Sequence, residues 1–152
     1  MIFTSYLANI SKIPEDFIIV FITLYPPKGF ILDKKLSKGF YRGFLGKRLV
    51  YVNKYLAPTR EIFQEYKNTK NWRNYRKSFL LELVKGNMYS SLKNLIKISE
   101  KNEKKIVLVC YEKDPNMCHR GLIGEVCRDV YNQEWIELSN NKIKNMTIHL
   151  ED

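Results

Sequence analysis

No apolar run in this chain is long enough to cross a bilayer. The longest, Phe17 to Leu24, has eight residues and includes Thr23, whereas a membrane helix needs roughly twenty. The opening Met1 to Tyr6 lacks the charged start, apolar stretch and small-residue cleavage site of a signal peptide. Cysteine is scarce: three residues are too few, and odd in number, for a secreted disulfide framework. There is no Cys-x-x-Cys pair, Walker loop, Gly-x-Gly-x-x-Gly run or His-Glu-x-x-His stretch, so spacing indicates neither a metal nor a cofactor. These absences exclude the membrane, secreted and fibrous classes. They leave the expectation of a cytoplasmic protein.

What is present suits an ordinary folded protein. The chain has 152 residues, 45% hydrophobic and 13% aromatic, enough for one domain with a core and too apolar for disorder. Its net charge of +10 is unevenly spread. The whole excess lies between Lys28 and Lys85, and rings such as Phe30, Tyr41, Tyr55, Phe63 and Trp72 are interleaved with it. Cations beside rings suit a nucleotide or nucleic-acid partner, with charges on phosphates and rings free to stack. Core rings beneath a solvated lysine face would give the same composition.

Hydrophobic spacing supplies the elements. Met1–Leu7 and Phe17–Leu24 read as strands, separated by the turn residues Ile13 to Asp16. Tyr25-Pro26-Pro27-Lys28-Gly29 ends the second. From Phe30 to Pro58 the pattern is irregular, with glycines at 29, 39, 43 and 46, and it reads as a long basic excursion carrying short helices. Thr59 caps a helix over Arg60 to Tyr66. Trp72, Tyr75, Phe79, Leu80 and Leu83 form the face of a second helix, ending near Gly86. Met88, Leu92, Leu95 and Ile96 mark a third, running to about Ser99. Ile106 to Tyr111 is the clearest strand. After the loop Glu112 to Met117 comes a helix with Leu122, Ile123, Val126, Cys127 and Val130 on one face. Trp135–Leu138 reads as a short strand and Met146–Leu150 as another. Strands alternating with helices predict a single α/β domain over residues 1–152, its sheet mostly parallel and flanked by helices.

Chemistry concentrates where the clearest strand passes through its loop into a helix. Cys118, His119 and Arg120 fall at that helix's start, where free N–H groups and positive potential favour a thiolate. Cys118 is the candidate nucleophile, and His119 and Glu112 are candidates for proton transfer. Arg120 is a candidate for holding a phosphate or carboxylate, or else a buried tie from the helix to Glu112. Cys110, Thr4, Ser5 and Tyr6 at strand ends, and Lys28 in the basic segment, are further candidate ligand contacts. Cys110 and Cys127 also read as small core hydrophobes, and His149 as a surface residue. Cys110 and Arg120 lie ten positions apart, too far for the five-residue gap of a cysteine-phosphatase loop. Gly121 and Gly124 stand where helix formers are expected, so either something approaches closely there or the turn is loosened.

The strand end Val109-Cys110-Tyr111-Glu112 followed by Cys118-His119-Arg120 resembles the domain of unknown function 488 family of bacterial and phage proteins. Thr4-Ser5-Tyr6, Pro26-Pro27-Lys28 and Leu56-Ala57-Pro58 are similar to that family too, so the resemblance covers most of the chain. It implies an α/β domain with a site around Cys110, Glu112, Cys118, His119 and Arg120, and it supplies no reaction. Two functions stay open. One is an enzyme acting on a nucleotide or nucleic-acid substrate. The other is a non-catalytic module that binds nucleic acid or an anionic ligand, in which Cys-His-Arg only holds the loop.

Overall fold

In a computed structural model, residues 1–101 and 105–138 are described, and one seven-stranded sheet runs through them. Its strands are β1 (Ile2–Tyr6), β2 (Ile18–Phe21), β3 (Phe30–Ser37), β4 (Phe40–Leu45), β5 (Arg48–Asn53), β6 (Ile106–Cys110) and β7 (Trp135–Glu137). The spatial order is β3-β4-β5-β2-β6-β1-β7. The five strands from β5 to β7 are parallel, and β4 and β3 extend that edge antiparallel. β6 is Ile-Val-Leu-Val-Cys with every residue buried, the signature of a strand covered on both faces.

Helices α1 (Arg60–Thr69), α2 (Trp72–Leu83) and α3 (Gly86–Lys101) join β5 to β6, and α4 (His119–Asp129) joins β6 to β7. Phe79, Leu92, Leu122 and Ile123 bury their apolar stripes on one sheet face, against Ile2, Val20, Ile106 and Leu108. On the other face Ile13 and Phe17, from the connection between β1 and β2, pack on Phe3, Ile19 and Val107. β1 and β6 are neighbours whose connections leave toward opposite faces. That divergence opens a crevice at the carboxyl end of the sheet, where α/β folds place ligands. The α/β class and the mostly parallel sheet agree with the sequence reading.

The segment Phe30 to Pro58 does not. It is neither irregular nor helical: it is the meander β3-β4-β5, followed by a short 3-10 turn over Lys54–Leu56. Gly39 and Gly46 stand at its reversals, while Gly43 lies inside β4. Gly46 takes φ +64° between β4 and β5, a conformation open to glycine and strained for residues with a Cβ. The alternation was hidden because β3 is an exposed edge strand, and lysine along an edge is how proteins discourage unwanted pairing. The helices over Arg60, Trp72 and Met88 match expectation, and the Thr59 hydroxyl accepts from Ile62 N–H at 3.3 Å as a cap. The strand expected over Met146–Leu150, and His149, lie outside the described residues.

Gly124 answers one of the open glycine questions. The Trp135 indole lies flat on α4 at this position, where a Cβ would overlap the ring. That ring cannot easily retreat, because its Nε1–H donates to the Thr4 hydroxyl at 2.7 Å. Gly124→Ala should therefore destabilise the protein by about 1–2 kcal/mol in urea unfolding, since overpacking outweighs the roughly 1 kcal/mol of helix propensity gained. Val130→Ala, at a position 68% exposed, serves as the control and should shift stability by less than about 0.5 kcal/mol.

Candidate functional site

The approach to α4 is built residue by residue. The Asp114 carboxylate accepts from Asn116 N–H at 2.9 Å, starting a 3-10 turn over Pro115–Met117. The Pro115 carbonyl then packs directly on Gly121, where any side chain would collide with it. Cys118 is the residue that begins α4, in extended conformation with φ −141°. Cys118 and His119 are thereby turned toward Cys110 at the end of β6.

These three side chains form one cluster. His119 Nε2 lies 3.4 Å from Cys110 Sγ, and His119 Nδ1 lies 3.7 Å from Cys118 Sγ. Nε2 also faces the main-chain carbonyl of Ile22. A carbonyl only accepts, so the hydrogen-bond network assigns a proton to Nε2 and leaves Nδ1 toward the sulfurs. Phe79 meets the imidazole edge-on at 5.5 Å and fixes its plane. The three donor atoms lie within 4.8 Å of one another. Two thiolates and an imidazole are a donor set that could hold a thiophilic ion such as zinc.

The cluster opens into a cavity of about 160 Å³. Phe63, Tyr66 and Tyr75 contribute to its walls, and Tyr25, Tyr111 and Met117 are exposed at its mouth. The Tyr111 hydroxyl donates to the Tyr25 carbonyl at 2.7 Å and ties the two sides of the mouth together. Within this setting the two thiols are unequal. The Cys110 S–H hydrogen bond holds the Cys118 thiol well below the ordinary range; His119 and Arg120 add to this, and burial opposes it. Burial pushes Cys110 far up, and the neighbouring Cys118 pushes it further. The first proton therefore leaves Cys118. Burial also raises the Tyr75 phenol beside the sulfurs, which stays protonated. Cys127, in the core, is pushed up to about 12 by burial.

Arg120 does not reach the cavity. It is 0% exposed, and its Nε and Nη2 each donate to a Glu137 carboxylate oxygen at 3.0 Å. Nη2 also donates to the Lys113 carbonyl at 2.9 Å and Nη1 to that of Glu112. Burial works against its charge, but the Glu137 hydrogen bonds more than compensate and raise its pKa above the ordinary arginine value. The expected tie to Glu112 thus runs to that residue's main chain, and the acid partner is Glu137. The Glu112 side chain is exposed and lines the cavity mouth.

Other candidates separate in the same way. Cys110 lies in the cavity lining, as do Cys118 and His119. Thr4 and Ser5 are fully buried, and their hydroxyls donate to Glu137 and to the Leu138 carbonyl at 2.7 and 2.8 Å. These groups join β1 to β7 and lie outside the cavity lining. The Tyr6 ring faces the Arg120 guanidinium at 5.9 Å. Lys28 is exposed in the turn between β2 and β3, outside the cavity lining. Sequence reasoning missed Glu137, and it counted Tyr66 and Tyr75 among the helix residues and the rings of the basic segment without placing them at a cavity wall. The available signal for Glu137 was a lone acid inside the apolar stretch Trp135–Leu138.

A family model, DUF488-N3a, described as the Active DUF488-N3 subclade, matches residues 11–130. No curated protein and no solved structure matches the chain. Arg120→Met should leave Glu137 buried without its partner and lower the unfolding free energy by about 3–5 kcal/mol. Glu137→Leu should cost a similar amount. The double variant should recover most of that loss in a double-mutant cycle, because neither charge is then stranded. Additive losses would mean that the pair does not act as a unit.

Proposed function

The chain belongs to the DUF488 family, and from that premise we propose that it is an enzyme acting on a nucleotide or nucleic-acid substrate, with Cys118 as its nucleophile. The observation that carries this reading is the placement of Cys118 beside His119 in the lining of an aromatic-walled cavity, where hydrogen bonding from Cys110 holds its thiol below the ordinary range. A planar ring fits between such walls, which is how enzymes hold a base taken out of its stack. Cations for a phosphate stand nearby on α1. Arg60 donates to the Tyr25 hydroxyl at 2.9 Å, and Lys67 Nζ lies 5.4 Å from the centre of the Phe63 ring.

The chemistry proceeds from the cluster. Cys118 gives its proton to His119 Nδ1, and its sulfur pair forms a bond to an electrophilic carbon of the substrate. The displaced electron pair leaves on the departing group, which takes that proton from His119, while Glu112 at the mouth is placed to accept the proton of the incoming water in the second step. Water or a second substrate then breaks the sulfur–carbon bond and restores the thiol. Cys110 keeps its proton and supports the Cys118 thiolate by donating to it. Such a thiol persists only where disulfides are kept reduced, which agrees with a cytoplasmic setting. One observation favours the non-catalytic alternative: Arg120 of the Cys-His-Arg triplet is wholly structural.

Alkylation of each cysteine, followed against pH by peptide mass spectrometry with a chelator present, tests this directly. The Cys118 rate should rise through an apparent pKa well below about 8.5, the ordinary thiol value, and plateau above it, because the thiolate is the reactive form. Cys110 and Cys127 should stay unreactive at neutral pH. Cys110→Ala should move the Cys118 midpoint upward, since alanine has no proton to donate to the thiolate. A Cys118 that titrates normally or resists alkylation would sink the nucleophile reading.

A further inference from the structure

Leu24 and Pro58 each belong to two walls. On one side they line the thiol cavity, and on the other a hollow of about 460 Å³ that also includes Lys54 and Tyr55. Lys54 is shared in turn with a third hollow, about 340 Å³, bordered by Pro26, Phe30 and Tyr41. The three therefore form a series along the carboxyl end of the parallel strands. It starts at the ends of β6 and β2, passes the end of β5 and reaches β4.

The series carries unneutralised positive charge. Lys54, whose Nζ lies 5.3 Å from the centre of the Tyr41 ring, has no ion-pair partner among the described residues, and neither do Arg60 and Lys67. By contrast Arg42, Arg76 and Lys85 are matched by Asp33, Glu125 and Glu82. Lys54 thus lines two of the hollows, and Arg60 and Lys67 stand beside the cavity residues Tyr25 and Phe63. The acids along the series are Glu112 at the cavity mouth and Glu82, paired with Lys85, in the hollow of about 460 Å³.

We propose that this series is the path of a single-stranded nucleic acid: one base enters the thiol cavity, its neighbours lie along Tyr55 and Tyr41, and Lys54 and Arg60 hold the phosphates. Rings stack on any base while cations follow the backbone, so the binding is sequence-tolerant and salt-dependent. Intact duplex does not fit this role, because a base can reach Cys118 only after leaving the stack. The inference rests on the cavity being the substrate pocket, and it does not require Cys118 to be the nucleophile.

Fluorescence anisotropy with labelled oligo-dT and oligo-U of about twelve nucleotides tests the path, with a blunt DNA duplex of equal length for comparison. Single strands should bind more tightly than duplex. Lys54→Glu/Arg60→Glu should lose at least about tenfold and reduce the log–log salt slope by about 2. Lys34→Glu/Lys35→Glu makes the same change of charge on exposed β3, outside the hollows, and should cost less than about threefold. Lys54→Gln/Arg60→Gln, a milder pair, guards against misfolding and should lose affinity to an intermediate degree. Equal losses from both Glu pairs, or no strand binding at low salt, would overturn the path. If Cys118 is activated but strands do not bind, the path is wrong and the nucleophile stands. Strands bound by a protein whose Cys118 titrates normally would support the path alone.

Discussion

Arg120 enters the interior from the first turn of α4 carrying a full charge, and it is received there by the Glu137 carboxylate and two main-chain carbonyls. Desolvating the two ions costs several kcal/mol each, so a pair of this kind adds little net stability over a well-packed apolar alternative. What it adds is position. Glu137 also accepts from the Thr4 hydroxyl, so a single network joins the loop after β6, the start of α4, β7 and β1. The carbonyls of Glu112 and Lys113 are fixed by it, and the short loop they begin delivers Cys118. A guanidinium suits this task because its donors point in fixed directions and its charge persists at any accessible pH.

The three cysteines show how far placement divides one chemical group. Cys110 ends a strand in which every residue is buried, and its thiolate would have little to solvate it. Cys118 begins a helix, where N–H groups and cationic neighbours compensate a negative charge. Cys127 lies on the core side of that helix with no such compensation, and its thiol stays high. The asymmetry of the first two is mutual: one S–H serves the neighbouring S⁻, so lowering one pKa raises the other. A single cysteine in the same cavity would have to meet the desolvation cost alone.

Much of this was legible before the structure. β6 announced itself by composition, α4 by its periodic face, and the thiol cluster by its place at a strand-loop-helix junction. The role of Arg120 was half legible: a buried tie was foreseeable, but its acid was assigned to Glu112 on proximity in sequence. The true partner stands seventeen residues on, in a strand that only the sheet order brings beside β1. The commitment of the Thr4 and Ser5 hydroxyls to Glu137 and Leu138 was hidden for the same reason. The meander escaped because its first strand, β3, is exposed at the edge, where lysines replace the apolar alternation that marks a strand. Tyr66 and Tyr75 obey helical spacing and count among the rings of the basic segment, but nothing local says that their helix face also borders a cavity.

Once Arg120 is committed to the interior, the positive charge that the proposed nucleic-acid substrate would require has to come from other segments, and the sheet topology determines which. β5 runs parallel to β2, so its carboxyl end arrives at the same edge as the thiol cluster. Lys54 and the start of α1 are carried there with it. An irregular excursion would have spread the same lysines with no relation to the site. The meander instead reverses twice, and thereby fixes the direction in which β5 leaves it. The concentration of basic residues between Lys28 and Lys85 thus acquires a geometric meaning: part of it edges an exposed strand, and part is turned by β5 and α1 toward the cavity.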